Sequence, residues 1–306
     1  MVRQAILHLV ACASFLFANV VSPAPQSRLT AQEREQVVAE GKQIDASMLA
    51  GGTKTDVGSV KDFVLPASEG STAVRIYRPL KPASRGTVLF IHGGAFIAGS
   101  IQSHDNMARL ICSTSEANVV AVEYTRAPAA MHPAQLDQVR AVLRWLSRDG
   151  QKEGLQPQPL AVCGDSAGGN MAAVIARESQ KMALAVLINP VVDATLATIK
   201  DPEVRLFSEM MIKAYVPKDT DLQDPSLSPL LSEVPRSHPA TFMAIGDSDP
   251  WRAEQDRYAE KLKKAGVRVE VFRAPTGHLG PDGALATTLA VPTLTAAGRA
   301  IKVAFR

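Results

Sequence analysis

A serine set among glycines, a glycine-paired loop and one late histidine are the residues of this sequence best suited to chemistry. Ser166 lies in Gly164-Asp165-Ser166-Ala167-Gly168-Gly169, after a short apolar run and before a helical pattern. That is the strand–turn–helix context in which G-x-S-x-G presents a nucleophile. Such a turn strains the backbone, and small neighbours at Gly164 and Gly168 let the chain bend without clashes. The bend lifts the hydroxyl to the N-terminus of the next helix, where backbone N–H groups favour developing negative charge. His92-Gly93-Gly94-Ala95-Phe96 follows another apolar run. A tetrahedral oxyanion must meet backbone N–H groups directly, and glycine leaves that approach open. Gly93, Gly94 and Ala167 are the expected donors, with His92 bracing the loop.

An activated serine needs a general base, and the base needs an orienting carboxylate. In strand–turn–helix sites of this kind they follow the serine in the order acid, then histidine. Of the six histidines, His8 lies in the leader, His92 in the glycine loop, and His104, His132 and His238 precede the expected acid. His278 remains as the base. Gly246-Asp247-Ser248-Asp249-Pro250 offers two acids at the right edge, Asp249 and Asp247. The one not used becomes a turn residue or the N-cap of the next helix. Asp165 reads as a loop brace.

The elements around these residues alternate. Short apolar runs at 87–91, 119–124, 160–163, 184–188, 241–245 and 267–272 predict strands buried on both faces. Helical patterns at 104–117, 134–149, 168–180, 203–215 and 252–265 separate them. This is an α/β chain with a mostly parallel sheet flanked by helices. Residues 60–65 and 72–78 read as an antiparallel pair ahead of it. Thr30-Ala31-Gln32-Glu33 is a capping box opening an amphipathic helix that Gly51-Gly52 ends. The stretch 217–239, rich in Pro, Asp and Ser, predicts a long surface loop.

Composition narrows the function. Apolar residues make up 46% and charged residues 21% of 306, enough for a large core and against a disordered or coiled-coil chain. The near-balance of 33 basic and 30 acidic residues, without a basic run, argues against nucleic-acid binding. No zinc-type Cys/His spacing is present, so no metal site is expected. Residues 1–24 have the parts of a signal peptide: Arg3, an apolar stretch from Ala5 to Val21, then Pro23-Ala24-Pro25. Export is expected, to the periplasm or outside, with cleavage near Ala24. A retained anchor is the second choice, and only that or lipidation at Cys12 gives a membrane association. Cys112 and Cys163 read as separate core thiols.

With these residues in view, the chain resembles the hormone-sensitive-lipase-like branch of the α/β hydrolases over residues 60–303. The resemblance rests on His92-Gly93-Gly94-Ala95, on the Ser166 motif, and on Val122-Glu123-Tyr124-Thr125-Arg126-Ala127-Pro128, similar to the family's Asp-Tyr-Arg-Leu-Ala-Pro. Asp249-Pro250 with Tyr258 and Leu262 matches its acid region, which favours Asp249, and His278 matches its base. The resemblance implies an eight-stranded sheet and a small helical cap, placed here at about 29–50 and 190–216. It also implies a catalytic set of Ser166, Asp249 and His278 hydrolysing short acyl esters or lactones without a cofactor. Met48, Leu49, Phe207, Met210 and Met211 are candidates for an acyl pocket or for ordinary packing of the cap. Departures are Ala95 for a third glycine, Glu123 for Asp, Thr125-Arg126 for Arg-Leu, and Leu279 after the base. The expected partner is a small ester, with a homodimer through an edge strand as a further possibility. The alternatives are an amide, formamide or acetylated-sugar hydrolase and a silent ligand-binding relative.

Overall fold

The computed structural model describes residues 27–49, 54–66, 70–81, 86–278 and 290–306. The leader lies outside them, as do Gly51-Gly52 and Leu279. Eight strands form one sheet in the order β1-β2-β4-β3-β5-β6-β7-β8. They are β1 (Ser59–Val64), β2 (Ala73–Arg78), β3 (Thr87–Ile91), β4 (Asn118–Glu123), β5 (Leu160–Asp165), β6 (Leu184–Ile188), β7 (Ala240–Gly246) and β8 (Val269–Ala274). β2 pairs antiparallel with both β1 and β4, and every later pair is parallel. The predicted eight-stranded, mostly parallel sheet is the observed one. β8 starts later than its apolar run because the N–H of Val267 is committed to the carbonyl of Leu262 at the end of the preceding helix.

The pleat explains the unbroken apolar runs. Successive residues point to opposite faces, and both faces are buried. In β3, Leu89 and Ile91 enter one core while Val88 and Phe90 enter the other. The first core packs under α3 (Ala134–Arg148), α4 (Ser166–Glu178) and α6 (Arg252–Lys264). The second packs under α2 (Asp105–Ser115) and a C-terminal helix, α7 (Ala290–Ala304). Cys112 and Cys163 both lie in this second core as free thiols, and burial raises the Cys112 thiol to about 12. The sequence reading did not place α7. Leu294, Ala297 and Ile301 carry its helical spacing, but Pro292 and Gly298 interrupt the pattern.

A third apolar cluster lies at the C-terminal edge of the sheet. Here α1 (Ala31–Leu49) and α5 (Pro202–Tyr215) pack against the loop after β3. The capping box forms as predicted, with Thr30 N–H donating to Glu33 (2.7 Å) and Glu33 N–H to Thr30 Oγ1 (3.2 Å). Lys213 of α5 also bonds Glu33, which with the Thr30 contacts holds that carboxyl down to about 2. The segment 217–239 is irregular, as predicted, but it is not all at the surface. Leu227 and Leu230 are buried, and Asn170 of α4 donates to the Leu227 carbonyl (2.9 Å). Local turns there satisfy enough backbone groups to permit burial.

Gly298 sets how closely α7 approaches α2. A Cβ there would lie 1.8 Å from Thr114 Oγ1 and 2.7 Å from its Cβ. Gly298→Ala should therefore destabilise the fold by about 1–3 kcal/mol through overpacking, against the usual helix gain from replacing glycine. Denaturant unfolding measures this, and an unchanged or higher midpoint would contradict the packing described.

Candidate active site

β5 ends at Asp165 and α4 begins at Ser166, so the serine occupies the turn itself. Its φ is 50°, left-handed for a residue with a side chain. Such strain costs on the order of 1–3 kcal/mol and persists only where the surroundings impose it. They do so by close approach. A Cβ on Gly164 would stand 2.3 Å from the Gly168 carbonyl oxygen, and one on Gly168 would stand 2.1 Å from that of Ile91. The two motif glycines are therefore steric necessities of the turn. The structure places Ser166 Oγ 2.8 Å from His278 Nε2.

His278 Nδ1 lies 2.9 Å from Asp249 Oδ2. Asp249 is 5% exposed and keeps all its bonds inside the protein. Its Oδ1 accepts from Trp251 N–H (2.8 Å), and its Oδ2 accepts from Gln255 Nε2 (3.1 Å) and from Asn189 Nδ2. Burial by itself would raise this carboxyl. The charge and hydrogen bond of His278, with the donors at Trp251 and Gln255, outweigh it and hold the group below the usual carboxylate range. Asp247 takes no part: its side chain is 50% exposed beside Arg252. The helix-entry bond expected of the unused acid is made by Asp249 itself.

The glycine loop corrects one expectation. Gly93 N–H donates to Asp165 Oδ1 at 3.0 Å inside the protein, so it is not a free donor. Asp165 and His92 brace the loop as expected, His92 Nδ1 lying 2.8 Å from the Gly93 carbonyl. The sequence reading assigned the donor one residue early because the bond to Asp165 spans two loops far apart in the chain. Gly94, Ala95 and Ala167 line the cavity beside Ser166. Among the described residues the N–H groups of Gly94 and Ala95 have no protein acceptor.

Ala95 and Phe96 are both left-handed, with φ of 53° and 65°, so this loop also needs outside support. The Phe96 ring stacks on Tyr215 at 3.9 Å, and the Phe96 carbonyl accepts from Ala127 N–H at 2.9 Å. Asp45 of α1 accepts from Gly99 N–H (2.7 Å) and from Arg126 (3.1 Å), which also reaches the Gly99 carbonyl (3.0 Å). The departure at Arg126 thus ties the N-terminal helix to the loop. Glu123, the other departure nearby, accepts from Ile101 N–H at 2.8 Å.

A cavity of about 350 Å³ opens over Ser166 and His278. This is near the lower end of the roughly 300–1,000 Å³ of small-molecule sites. Met48, Phe207 and Met211 line it, as the sequence suggested, and so do Ile44, Leu196, Ile212 and Trp251, which it did not. Leu49 is 55% exposed, and Met210 packs against the cap cluster instead. Ile44, Met48, Met211 and Ile212 belong both to the wall and to the cap core, so the two readings of these side chains coincide. Ser208 donates its hydroxyl to the Val204 carbonyl (2.7 Å), leaving an almost wholly apolar wall. Among the described residues no His/Cys/Asp/Glu group could hold a metal ion, and no helix is long and apolar enough to cross a membrane.

A parallel sheet carrying a strand–turn–helix serine at its C-terminal edge, with acid and histidine on later loops, is the layout of the α/β hydrolases. A family model for the alpha/beta hydrolase fold matches residues 88–278, and the chain belongs to that family. It is 32% identical over 251 residues to an ethyl acetate hydrolase of Pseudomonas putida, covering 76% of this chain and 78% of that one. Identity to an arylesterase of Saccharolobus solfataricus is 29% over 232 residues, covering 72% and 76%. Among solved structures it is similar to EstE1, a thermostable carboxylesterase cloned from a metagenomic library. The TM-score is 0.77 at 28% identity, covering 91% of this chain and 98% of that one.

Glu254, fully buried on α6, accepts from Val192 N–H at 2.9 Å and so holds the chain leaving β6. Burial pushes its carboxyl up to about 8, with Asp193 and Asp249 adding to the rise. Between about 4.5 and about 8 the folded protein keeps a proton that the unfolded chain has released. Stability should therefore fall as pH rises through that window. Glu254→Gln keeps an acceptor and removes the titration. Its stability relative to wild type should grow across the window by on the order of a few kcal/mol. Urea unfolding at pH 5 and pH 8 tests this, and a pH-independent difference would rule it out.

Proposed function

We propose that the protein is a serine carboxylesterase acting on short, uncharged acyl esters, lactones included. The observation that carries this reading is the 2.8 Å approach of Ser166 Oγ to His278 Nε2, with Asp249 2.9 Å behind the imidazole, under an apolar cavity. The esterases to which the chain is similar support it.

Ser166 Oγ attacks the ester carbonyl as its proton passes to His278 Nε2. Asp249 holds Nδ1–H and offsets the charge of the imidazolium that forms. The carbonyl oxygen becomes an oxyanion facing the N–H groups of Gly94, Ala95 and Ala167. Among the described residues those of Gly94 and Ala95 have no protein acceptor, so no internal bond has to break as charge develops. Collapse of the intermediate breaks the bond to the leaving alkoxide, which takes the proton from His278 and departs as alcohol. Water then attacks the acyl-enzyme, giving one proton to His278. The second collapse releases the carboxylic acid and returns that proton to Ser166. A lactone follows the same path, with alcohol and acid in one product.

The apolar cavity wall argues against an acetylated-sugar substrate. An acetylated sugar would bring hydroxyls against Ile44, Met48, Phe207, Met211 and Ile212, where they would lose water without gaining partners. A binding protein has no need of a serine held in a strained turn against a histidine. An apolar acyl or alkyl group fits the wall as it stands. The leader supports export with cleavage near Ala24. Mass spectrometry of the mature protein from periplasmic and culture fractions should find a start near Pro25, and an intact Met1 start would argue for a retained anchor.

Hydrolysis of p-nitrophenyl acetate, butyrate, octanoate and palmitate tests the main reading. Wild type should turn over acetate and butyrate fastest and palmitate not at all. Ser166→Ala should lower kcat by at least about 10⁴-fold. A folded Ser166→Ala protein as active as wild type would sink the assignment.

A further inference from the structure

We propose that Asn189 is a positioning residue that fixes the acid and the base relative to each other, an inference that rests on the roles given above to Ser166, Asp249 and His278. Asn189 directly follows β6, a strand that carries none of the three. Its buried side chain reaches into the junction where the acid loop meets the base turn. Nδ2 donates to Asp249 Oδ2, the same oxygen that His278 engages, and lies 3.4 Å from the carbonyl of Gly277, the residue before the base. Its backbone N–H is anchored to the Ala244 carbonyl on β7 at 2.8 Å.

Three details set this side chain apart from filler. Its φ is 44°, a left-handed conformation that asparagine tolerates better than other residues with side chains. Its Oδ1 is buried and has no hydrogen-bond partner among the described residues. A buried amide carbonyl left unpaired calls for an explanation. Turning the amide over would point that oxygen at the Asp249 carboxylate, so the donor side is held inward at the carbonyl's expense. The surroundings also leave no slack. A Cβ on Gly246 would meet Gly277 O at 2.4 Å, Thr276 O at 2.7 Å and Asn189 Nδ2 at 3.1 Å. Ser248 N–H already bonds the Thr276 carbonyl at 3.1 Å, joining the acid loop to the base turn by backbone. Asn189 adds the side-chain tie that sets where the carboxylate sits within that joint.

Two variants test the inference, each compared with Ser166→Ala. Asn189→Gly removes the amide and suits a left-handed φ. With p-nitrophenyl butyrate its kcat should fall on the order of 10-fold, with KM within about twofold of wild type. Asn189→Asp keeps the shape. Protonated, it can still donate to Asp249; ionised, it sets a second carboxylate against the first. The charged or titratable groups around that position are Asp249 and His278, Glu254 behind Asp249, and Asp165 on the neighbouring strand with its carboxyl toward Gly93. The rate of Asn189→Asp relative to wild type should therefore rise as pH is lowered from 8 to 6. Wild-type kcat in a folded Asn189→Gly protein would overturn the inference, whatever its melting temperature. A rate ratio for Asn189→Asp that is flat with pH would also overturn it, and this arm decides if the glycine variant does not fold. Full activity in Ser166→Ala would instead remove the reading on which the inference rests.

Discussion

The left-handed turn at Ser166 is the constraint on which the rest of the structure depends. A side chain held at φ 50° between a strand and a helix is unfavourable by itself. It survives because β5 is clamped between β3 and β6, and because α4 approaches β3 so closely that Gly168 has no room for a Cβ. The sheet provides rigidity, and the glycines provide the space that the rigidity demands. Everything else at the site is arranged around the hydroxyl that this turn presents.

The same pattern recurs in the loop after β3. Ala95 and Phe96 take left-handed conformations, and neighbours from outside the loop hold them there. Tyr215 comes from α5, Asp45 from α1, and Arg126 and Ala127 from the segment after β4. The two cap helices thus do more than roof the cavity. They are packed onto the glycine loop beside Ser166, so the two helices, much of the cavity wall and that loop share one apolar cluster. Altering the side chains of these helices would disturb that loop as well.

Charge is handled by enclosure. Asp249 is buried yet anionic, because donors from the residue after β6, from the start of α6 and its preceding residue, and from the base turn converge on its two oxygens. Glu254 lies in the first turn of α6, five residues on, with fewer donors and two acidic neighbours, and burial prevails there. These two carboxyls on one short stretch differ in what surrounds them, and that difference holds one down and pushes the other up. Each keeps a connecting segment in place at the edge of the sheet where the loops gather.

Much of this was legible in the sequence because it is written locally. A strand buried on both faces reads as an apolar run, and a sharp strand-to-helix turn demands Gly164 and Gly168. Ser166 and His278 stood out by motif and by elimination, and the capping box at Thr30 closes within three residues. What the sequence left open depends on groups distant in the chain. The loss of the Gly93 N–H to Asp165 and the place of Arg126 each rest on such contacts. So does the burial of Leu227 and Leu230 within an irregular segment, and α7 is stabilised by its fit to α2 more than by an unbroken pattern of its own. The sequence by itself determined the alternation of elements and the residue types able to react, since both are properties of short stretches. Only the tertiary structure decided which donor faces which acceptor, because a hydrogen bond depends on distance and direction in space.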